Sequence, residues 1–397
     1  MIRHYSDDDE RRVRMQARVR EWTRAGLIDA NQEAQLLARL VVDVKRTNGW
    51  LRAVLGFFTV IVVAAVVGLV LVQLHRLPRD AEVATTVWIV GALCLVAADQ
   101  LAGRARLYRH GVEEMLAVAS VALMAVGAYE MMQPTQRTYV PSPDLDLIAA
   151  LTVAAIGGCV VFLRFGFAYA AVGAVACAGL LPFHFGWSET AGRLGGSLVF
   201  GATFFVAHTL RQRHGDEFPG DDYAIVQGAL LAGAYLALNV RVLDPAGDRG
   251  LADMFPRWFY WSTYAATWLM PIAALVTAIR EKDRPLQTVG AALLLITLGT
   301  NKPYLGMTRQ SWDPMLLGIL LMGAALGIRR WLMAGPGGQR AGYIATPILA
   351  RDRELLSALA NASVLWHGDA TRPPAAEPNA SAFQGGRSGG GGGGAGY

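Results

Sequence analysis

The sequence predicts an all-α protein, a polytopic membrane helix bundle of about ten transmembrane helices that follows a small cytoplasmic helical hairpin. Of the 397 residues, 53% are hydrophobic and only 17% are charged, whereas soluble domains carry about 25% charged residues. The charges gather in the two tails and in short bridges between long apolar runs. Residues 53–72 contain no charge and only one hydroxyl, that of Thr59, and can cross a hydrocarbon core about 30 Å thick.

The sequence pattern of residues 1–50 predicts the two short helices of the hairpin. Carboxylates follow Ser6 in the first turn, where the helix dipole favours them, and Gly26 is placed to end the first helix. Asp29 can cap the second helix, and Gln32, three residues later, completes a capping box. Each helix carries an apolar face, formed by Met15, Val19 and Trp22 in the first and by Leu37, Leu40, Val41 and Val44 in the second.

The apolar runs within residues 51–334 predict the membrane bundle. Lipid leaves no partner for an unpaired backbone group, so each apolar run is predicted to be a helix. The predicted spans are 53–73, 83–99, 112–132, 147–164, 166–183, 194–210, 223–240, 258–279, 286–300 and 314–333. Small residues within them favour close helix packing, namely Gly158, Gly195, Gly196, Gly323 and Gly327.

Residues 335–397 predict a cytoplasmic tail. A short amphipathic helix is expected within 351–365, with Leu355, Leu356 and Leu359 on one side. The glycine run 389–394 cannot bury apolar surface and is expected to be disordered.

The distribution of basic residues predicts the orientation. Eleven basic residues precede the first span, from Arg3 to Arg52, and seven lie from Arg329, at the end of the last span, onward. An even number of spans places both tails on one side of the membrane, and the positive-inside rule makes that side cytoplasmic. Eight acidic residues offset the basic residues of the N-terminal tail, so no nucleic-acid partner is predicted.

One resemblance is carried by the hairpin. Trp22, the run Gly26-Leu27-Ile28-Asp29 and Gln32 stand directly before the first span. This arrangement resembles a bacterial family of predicted membrane proteins of unknown function, over roughly residues 1–70. The resemblance implies a location in the bacterial cytoplasmic (inner) membrane and supplies no activity.

The usual signatures of catalysis are missing from the sequence. It contains no phosphate-binding loop of the Gly-x-x-x-x-Gly-Lys type and no nucleophile elbow around a serine. Cys94, Cys159 and Cys177 all fall inside predicted spans, and their spacing is not that of a metal site. No catalytic residue, cofactor or metal is therefore predicted.

The loop between the last two spans suggests a polar pocket on the outer face. This loop combines a cation, a carboxylate and aromatic side chains, and two further residues are predicted on the same face. The pocket would bind a small solute or a lipid headgroup, and its members are Glu130, Trp187, Lys302, Tyr304, Trp312 and Asp313. The alternative is an aromatic belt that anchors helix ends, where Trp and Tyr are expected in any case.

Three functions remain open at this stage. The favoured one is a structural or regulatory scaffold, in contact with the lipid bilayer, that recruits a cytoplasmic protein partner through residues 1–48. It predicts that removing residues 1–48 abolishes function and leaves the bundle folded. The alternatives are a transporter or channel for a small solute and a lipid-modifying membrane enzyme.

Overall fold

The computed structural model describes residues 7–74, 80–133, 143–213, 219–242, 254–307, 310–336, 339–340 and 343–344. These ranges contain twelve α-helices, one 3-10 turn and one pair of two-residue strands. The helices are α1 (Asp7–Arg24), α2 (Ala30–Arg39), α3 (Gly49–Leu74), α4 (Asp80–Gly103), α5 (Val112–Met132), α6 (Leu145–Phe165), α7 (Ala168–Leu180), α8 (Glu189–Arg213), α9 (Pro219–Leu238), α10 (Arg257–Glu281), α11 (Arg284–Tyr304) and α12 (Asp313–Met333). The 3-10 turn is Leu181–His184, and the antiparallel strands are β1 (Gln339–Arg340) and β2 (Tyr343–Ile344).

The helices have the character of a membrane bundle. Among the described residues, six helices are long and apolar enough to cross a membrane: α3, α4, α5, α6, α10 and α12. Two shorter apolar helices cover Ala168–His184 and Asp222–Leu238. The predicted helical membrane bundle is thereby confirmed as a class, and each predicted span coincides with one helix from α3 to α12.

Helices that are neighbours in sequence pack together along most of the bundle. The contacts follow the chain from α4 to α7, join α8 to α9 and join α10 to α11, while α9 also touches α7, α10 and α11. Close packing of small residues is confirmed at Gly158 and Gly196, where an added Cβ would lie 2.8 Å from the Ala170 carbonyl oxygen and 2.9 Å from that of Gly179.

Helix α12 stands apart from this packing. None of its residues is buried. Among the described residues, an added Cβ at Gly323 or Gly327 would meet nothing within 4 Å, so the close packing predicted for these two glycines is wrong within that part of the chain. Their surroundings are open because α12 contacts chiefly the strands β1 and β2.

Two predicted helix boundaries near the start of the chain are confirmed. Gly26 has a φ of +71°, and hydrogen bonds from Leu27 to Trp22 and from Gly26 to Thr23 close the end of α1, as in a Schellman motif. Asp29 caps α2, and Gln32 returns the reciprocal bond of a capping box.

The prediction that the second helix continues to Val44 is wrong. Helix α2 ends at Arg39, and the next residues run alongside the segment that connects α4 and α5. The Lys45 N–H donates to the Arg106 carbonyl at 3.0 Å, and the Tyr108 N–H donates to the Lys45 carbonyl at 3.1 Å. Val41 is 68% exposed as a result. Bonds with a distant segment, favoured by β-branched valines, outweigh the helical pattern here.

The tail helix expected within 351–365 and the glycine run 389–394 lie outside the described residues. At the start of the tail, the Tyr343 hydroxyl donates to the Ile279 carbonyl at 3.0 Å.

Candidate functional site

Three of the predicted pocket residues lie together at the start of α12. The Lys302 Nζ is 2.5 Å from the Asp313 Oδ1, and it also lies 5.3 Å from the centre of the Trp312 ring. Both charged residues line a groove of about 390 Å³, together with Asn301 and Gln310. The groove therefore offers a cation, a carboxylate and two amides beside apolar residues of α12.

The other three predicted residues have different neighbours. Tyr304 is buried, and its hydroxyl accepts a hydrogen bond from the Val240 N–H at 3.0 Å. Trp187 is exposed, and its ring centre lies 5.1 Å from that of Phe185 with the two ring planes tilted by 60°. Glu130 lies near the end of α5, whose main packing partners are α3, α4 and α6. No contact described here joins these three residues to Lys302.

A buried polar cluster lies between α9, α10 and α11, and we call it the tyrosine–threonine seam. Its members are Tyr235, Asn239, Tyr260, Thr267, Thr297, Thr300 and Tyr304. The Tyr235 hydroxyl and the Thr297 Oγ1 lie 2.9 Å apart, and the Asn239 amide donates to Tyr235 at 2.8 Å. The Thr297 hydroxyl donates to the Thr267 carbonyl at 2.7 Å.

The members of the seam are uncharged and bond to one another, and the buried Arg241 Nε also donates to the Tyr260 hydroxyl at 3.1 Å. The Tyr260 hydroxyl donates to the Tyr304 carbonyl at 3.0 Å, which ties α10 to α11. Hydrogen bonds of this kind join helices in lipid, where apolar surfaces alone give little drive to associate. Only Tyr304 among these residues was predicted to be functional, as a pocket residue, because the hydroxyl and amide side chains of the others carry no charge that marks them within a span.

A second polar cluster lies where α1 packs against the bundle, and we call it the α1 junction. It consists of Glu10, Arg14, Tyr108, Arg109 and Asp222. The Arg14 Nη2 donates to the Glu10 Oε1 and to the Asp222 Oδ2, both at 2.7 Å. The Tyr108 hydroxyl donates to the same Glu10 oxygen at 3.4 Å, and an Arg109 nitrogen lies 3.8 Å from it. The junction thus connects α1 to α9 and to the α4–α5 connection.

Burial and charge act together on the groups of the α1 junction. Glu10 and Asp222 are each 5% exposed. Burial alone would lower the pKa of Arg14, but the carboxylates of Asp222 and Glu10 outweigh burial and raise that pKa. Burial also raises the pKa of Tyr108, against the opposing effect of Arg109. The arginine is therefore held charged and the phenol neutral, in the forms that donate to Glu10.

Apolar contacts add to the docking of α1. Val13 belongs to a buried cluster with residues of α4, α5 and α6, and Val19 is 1% exposed. Of the three residues predicted to form the apolar face of α1, Val19 is buried, as predicted, whereas Met15 and Trp22 are only partly buried. The buried residues are Glu10, Val13, Gln16 and Val19, which recur every three residues. Two of them are polar, so a search for apolar residues alone misplaces the buried face.

Further ion pairs tie helices together at the same end of the bundle. Arg52 of α3 makes two hydrogen bonds to Glu114 of α5, of 2.6 and 2.5 Å. Arg164 of α6 donates to Asp99 of α4 at 2.8 Å. Arg211, at the end of α8, pairs with Asp283 before α11. These pairs link residues at the ends of α3, α4, α5, α6 and α8 and at the cap of α11.

The residues that the structure describes contain no group of three or more His, Cys, Asp or Glu side chains able to hold a metal ion. His208 instead contacts amide groups, with its Nε2 2.9 Å from the Gln212 Nε2 and its Nδ1 3.1 Å from the Gln227 Nε2. Cys94, Cys159 and Cys177 are free thiols.

The long apolar helices and the hydrogen-bonded polar seam between them place the chain in the class of helical membrane bundles. Its N-terminal helix packs against that bundle. The chain matches no protein-family model, no curated protein and no solved structure.

Proposed function

We propose that the chain is a ten-span membrane scaffold with a regulatory role, located in the bacterial cytoplasmic membrane with both tails in the cytoplasm. Its N-terminal helices would recruit a cytoplasmic protein while α1 stays fixed to the bundle. The observation that carries this proposal is the contrast between the two helices. Helix α1 buries four residues, whereas α2 buries none.

The packing of the bundle supports ten spans. Helices α7, α8, α9 and α11 fall short of the length or apolarity of the other six, yet they contact one another or neighbouring spans throughout. The ion pairs at the α1 end support the cytoplasmic side for that end, because basic residues are enriched there in membrane proteins. The resemblance of residues 1–70 supports a bacterial inner membrane.

The free surface of α2 supports recruitment of a partner. Leu36 of α2, Leu27 in the turn before it and Val41 after it are exposed apolar side chains. They lie in the part of the chain that precedes the first span, so they would face water rather than lipid. Contiguous apolar patches on an aqueous surface are typical of interaction sites, and we propose that these three side chains form one such patch.

The test uses the full-length protein in its native membrane. A photo-reactive residue at Arg39, next to the apolar surface, would cross-link a bound partner, and the products would be quantified by mass spectrometry. We expect Leu36→Glu to remove one defined cross-linked protein. Gln35→Glu introduces the same charge at a neighbouring exposed position and should leave the product unchanged. A product that is equal in all three proteins would overturn the scaffold proposal.

A transporter or receptor for a small solute is the second candidate, favoured by the groove of Lys302 and Asp313. A solute at a hundred times its dissociation constant would stabilise the fold by about 2.7 kcal/mol. A panel of ions, amino acids, sugars, nucleotides and lipids can therefore be screened by thermal unfolding. A shift that disappears in Asp313→Asn would favour this candidate, and the absence of any shift would count against it. No described contact specifically favours a lipid-modifying enzyme.

A further inference from the structure

Three buried side-chain atoms have no hydrogen-bond partner among the described residues: the Thr47 Oγ1, the His110 Nδ1 and the Glu113 Oε2. Leaving a buried polar group unpaired costs about 1–3 kcal/mol, and more for a charged group. Unpaired atoms are therefore rare in folded proteins, and each one calls for a physical reason.

The three atoms belong to two segments that lie side by side. Lys45 forms a parallel bridge with Leu107. A few residues further on, Gly111 lies so close to α3 that an added Cβ would be 2.2 Å from the Arg52 carbonyl oxygen. Thr47 stands between these two points of contact on one segment, and His110 and Glu113 follow on the other. The unpaired atoms thus share one region, at the start of α5.

Glu113 is the chemically distinct member of this group. Its side chain is fully buried, and only one of its oxygens, Oε1, accepts a hydrogen bond, from the His110 N–H at 2.6 Å. The nearest arginine, Arg52, makes both of its short contacts with Glu114. The carboxyl group of Glu113 is therefore buried without a cation of its own.

Other charged and titratable groups surround Glu113. Glu114, the next residue of the same helix, repels the charged form of Glu113, and His110 acts from the preceding loop. Arg52 acts from α3 and Tyr169 from α7. Helices α4 and α6, which also pack on α5, contribute the ion pair of Asp99 and Arg164 at the same end.

Two opposing influences meet at this carboxyl group. Burial removes hydration from the charged form, while the N-terminus of α5 and the His110 N–H stabilise negative charge. A proton on Oε2 would convert the unpaired acceptor into a donor. We propose that Glu113 is a proton-binding site at the α1 end of the bundle.

A hydrophobic carbodiimide tests this proposal in membranes that contain the full chain. The reagent reacts with protonated buried carboxyl groups, because the carboxyl O–H adds across one C=N bond. The O-acylisourea that forms then rearranges to a stable N-acylurea, so the whole reagent remains on the residue. Peptide mass spectrometry locates the label and distinguishes Glu113 from Glu114.

We expect one label at Glu113, and we expect its yield to rise as the pH falls. Glu113→Gln should abolish this label, and Glu130→Gln, a matched change near the other end of α5, should leave it unchanged. Size-exclusion chromatography checks that each variant is folded. A folded wild-type protein with no label at Glu113 at any pH, or with a yield independent of pH, would overturn the proposal.

Discussion

The contact between Arg14 and Asp222 gives the most direct test of how α1 is held. Arg14→Ala removes the guanidinium that bonds to both Glu10 and Asp222 and leaves two nearly buried carboxylates close together. Removing one partner of a buried ion pair costs about 3–5 kcal/mol. The Arg14 side chain is 17% exposed, so water retains some access. We therefore expect a loss near the lower limit, about 3 kcal/mol in the free energy of unfolding.

A double-mutant cycle with Asp222→Ala isolates the contact. The free energy of unfolding of the wild type, the two single variants and the double variant would be measured by denaturant titration in one detergent. Because the two side chains touch, we expect a coupling energy within the range of about 0.5–3 kcal/mol found for residues in contact. Loss of Arg14 should cost less in the double variant, since Asp222 no longer remains as an unpaired charge.

Arg12→Ala is the matched control, because Arg12 lies on the same helix and pairs with an exposed carboxylate, Asp8, four residues away. An exposed pair of this kind contributes about 0–1 kcal/mol. The reasoning is refuted if Arg14→Ala destabilises the protein no more than Arg12→Ala does. It is also refuted if the effects of Arg14→Ala and Asp222→Ala simply add.

Four further changes test other parts of the structure. Gly111→Ala should prevent folding, seen as aggregation in size-exclusion chromatography, because its Cβ would strike the Arg52 carbonyl at a φ of +101°. Gly26→Ala, at φ +71° with open space around it, should fold normally and lose only about 1–2 kcal/mol. Asn239→Leu should lower the melting temperature, because it leaves buried partners of the tyrosine–threonine seam unpaired, at about 1–3 kcal/mol. Asp313→Asn should cost at most about 1 kcal/mol without a ligand, as its partner is partly exposed.

Local features of the chain could be predicted because their causes lie within a few residues. Gly26 ends α1 and the Asp29–Gln32 box begins α2, since each requires only a suitable side chain at a fixed spacing. The apolar runs behave in the same way, because length and composition alone decide whether a helix can cross a membrane.

Contacts between distant segments could not be predicted from such patterns. Arg14 and Asp222 are 208 residues apart, and each residue alone resembles a solvated charge near a helix start. The early end of α2 has the same origin, since Lys45 pairs with a segment beyond the second span. Tyr304 was predicted to face a pocket near Lys302, but the direction of its side chain depends on how α11 packs against α9 and α10.

The docking of α1 changes how its role in a scaffold must be understood. A detachable recruitment module would leave the bundle unchanged when it is removed, as expected from the sequence. Here Val13 completes an apolar cluster of the bundle, and Arg14 is bonded to the Asp222 carboxylate. A partner that binds α2 therefore acts on an element joined through α1 to α9, and α9 in turn holds the tyrosine–threonine seam. A displacement of the hairpin that breaks the Arg14–Asp222 contact would leave the Asp222 carboxylate buried at the start of α9 without this partner. If the chain is the proposed scaffold, recruitment and the packing of the bundle would for this reason be physically coupled.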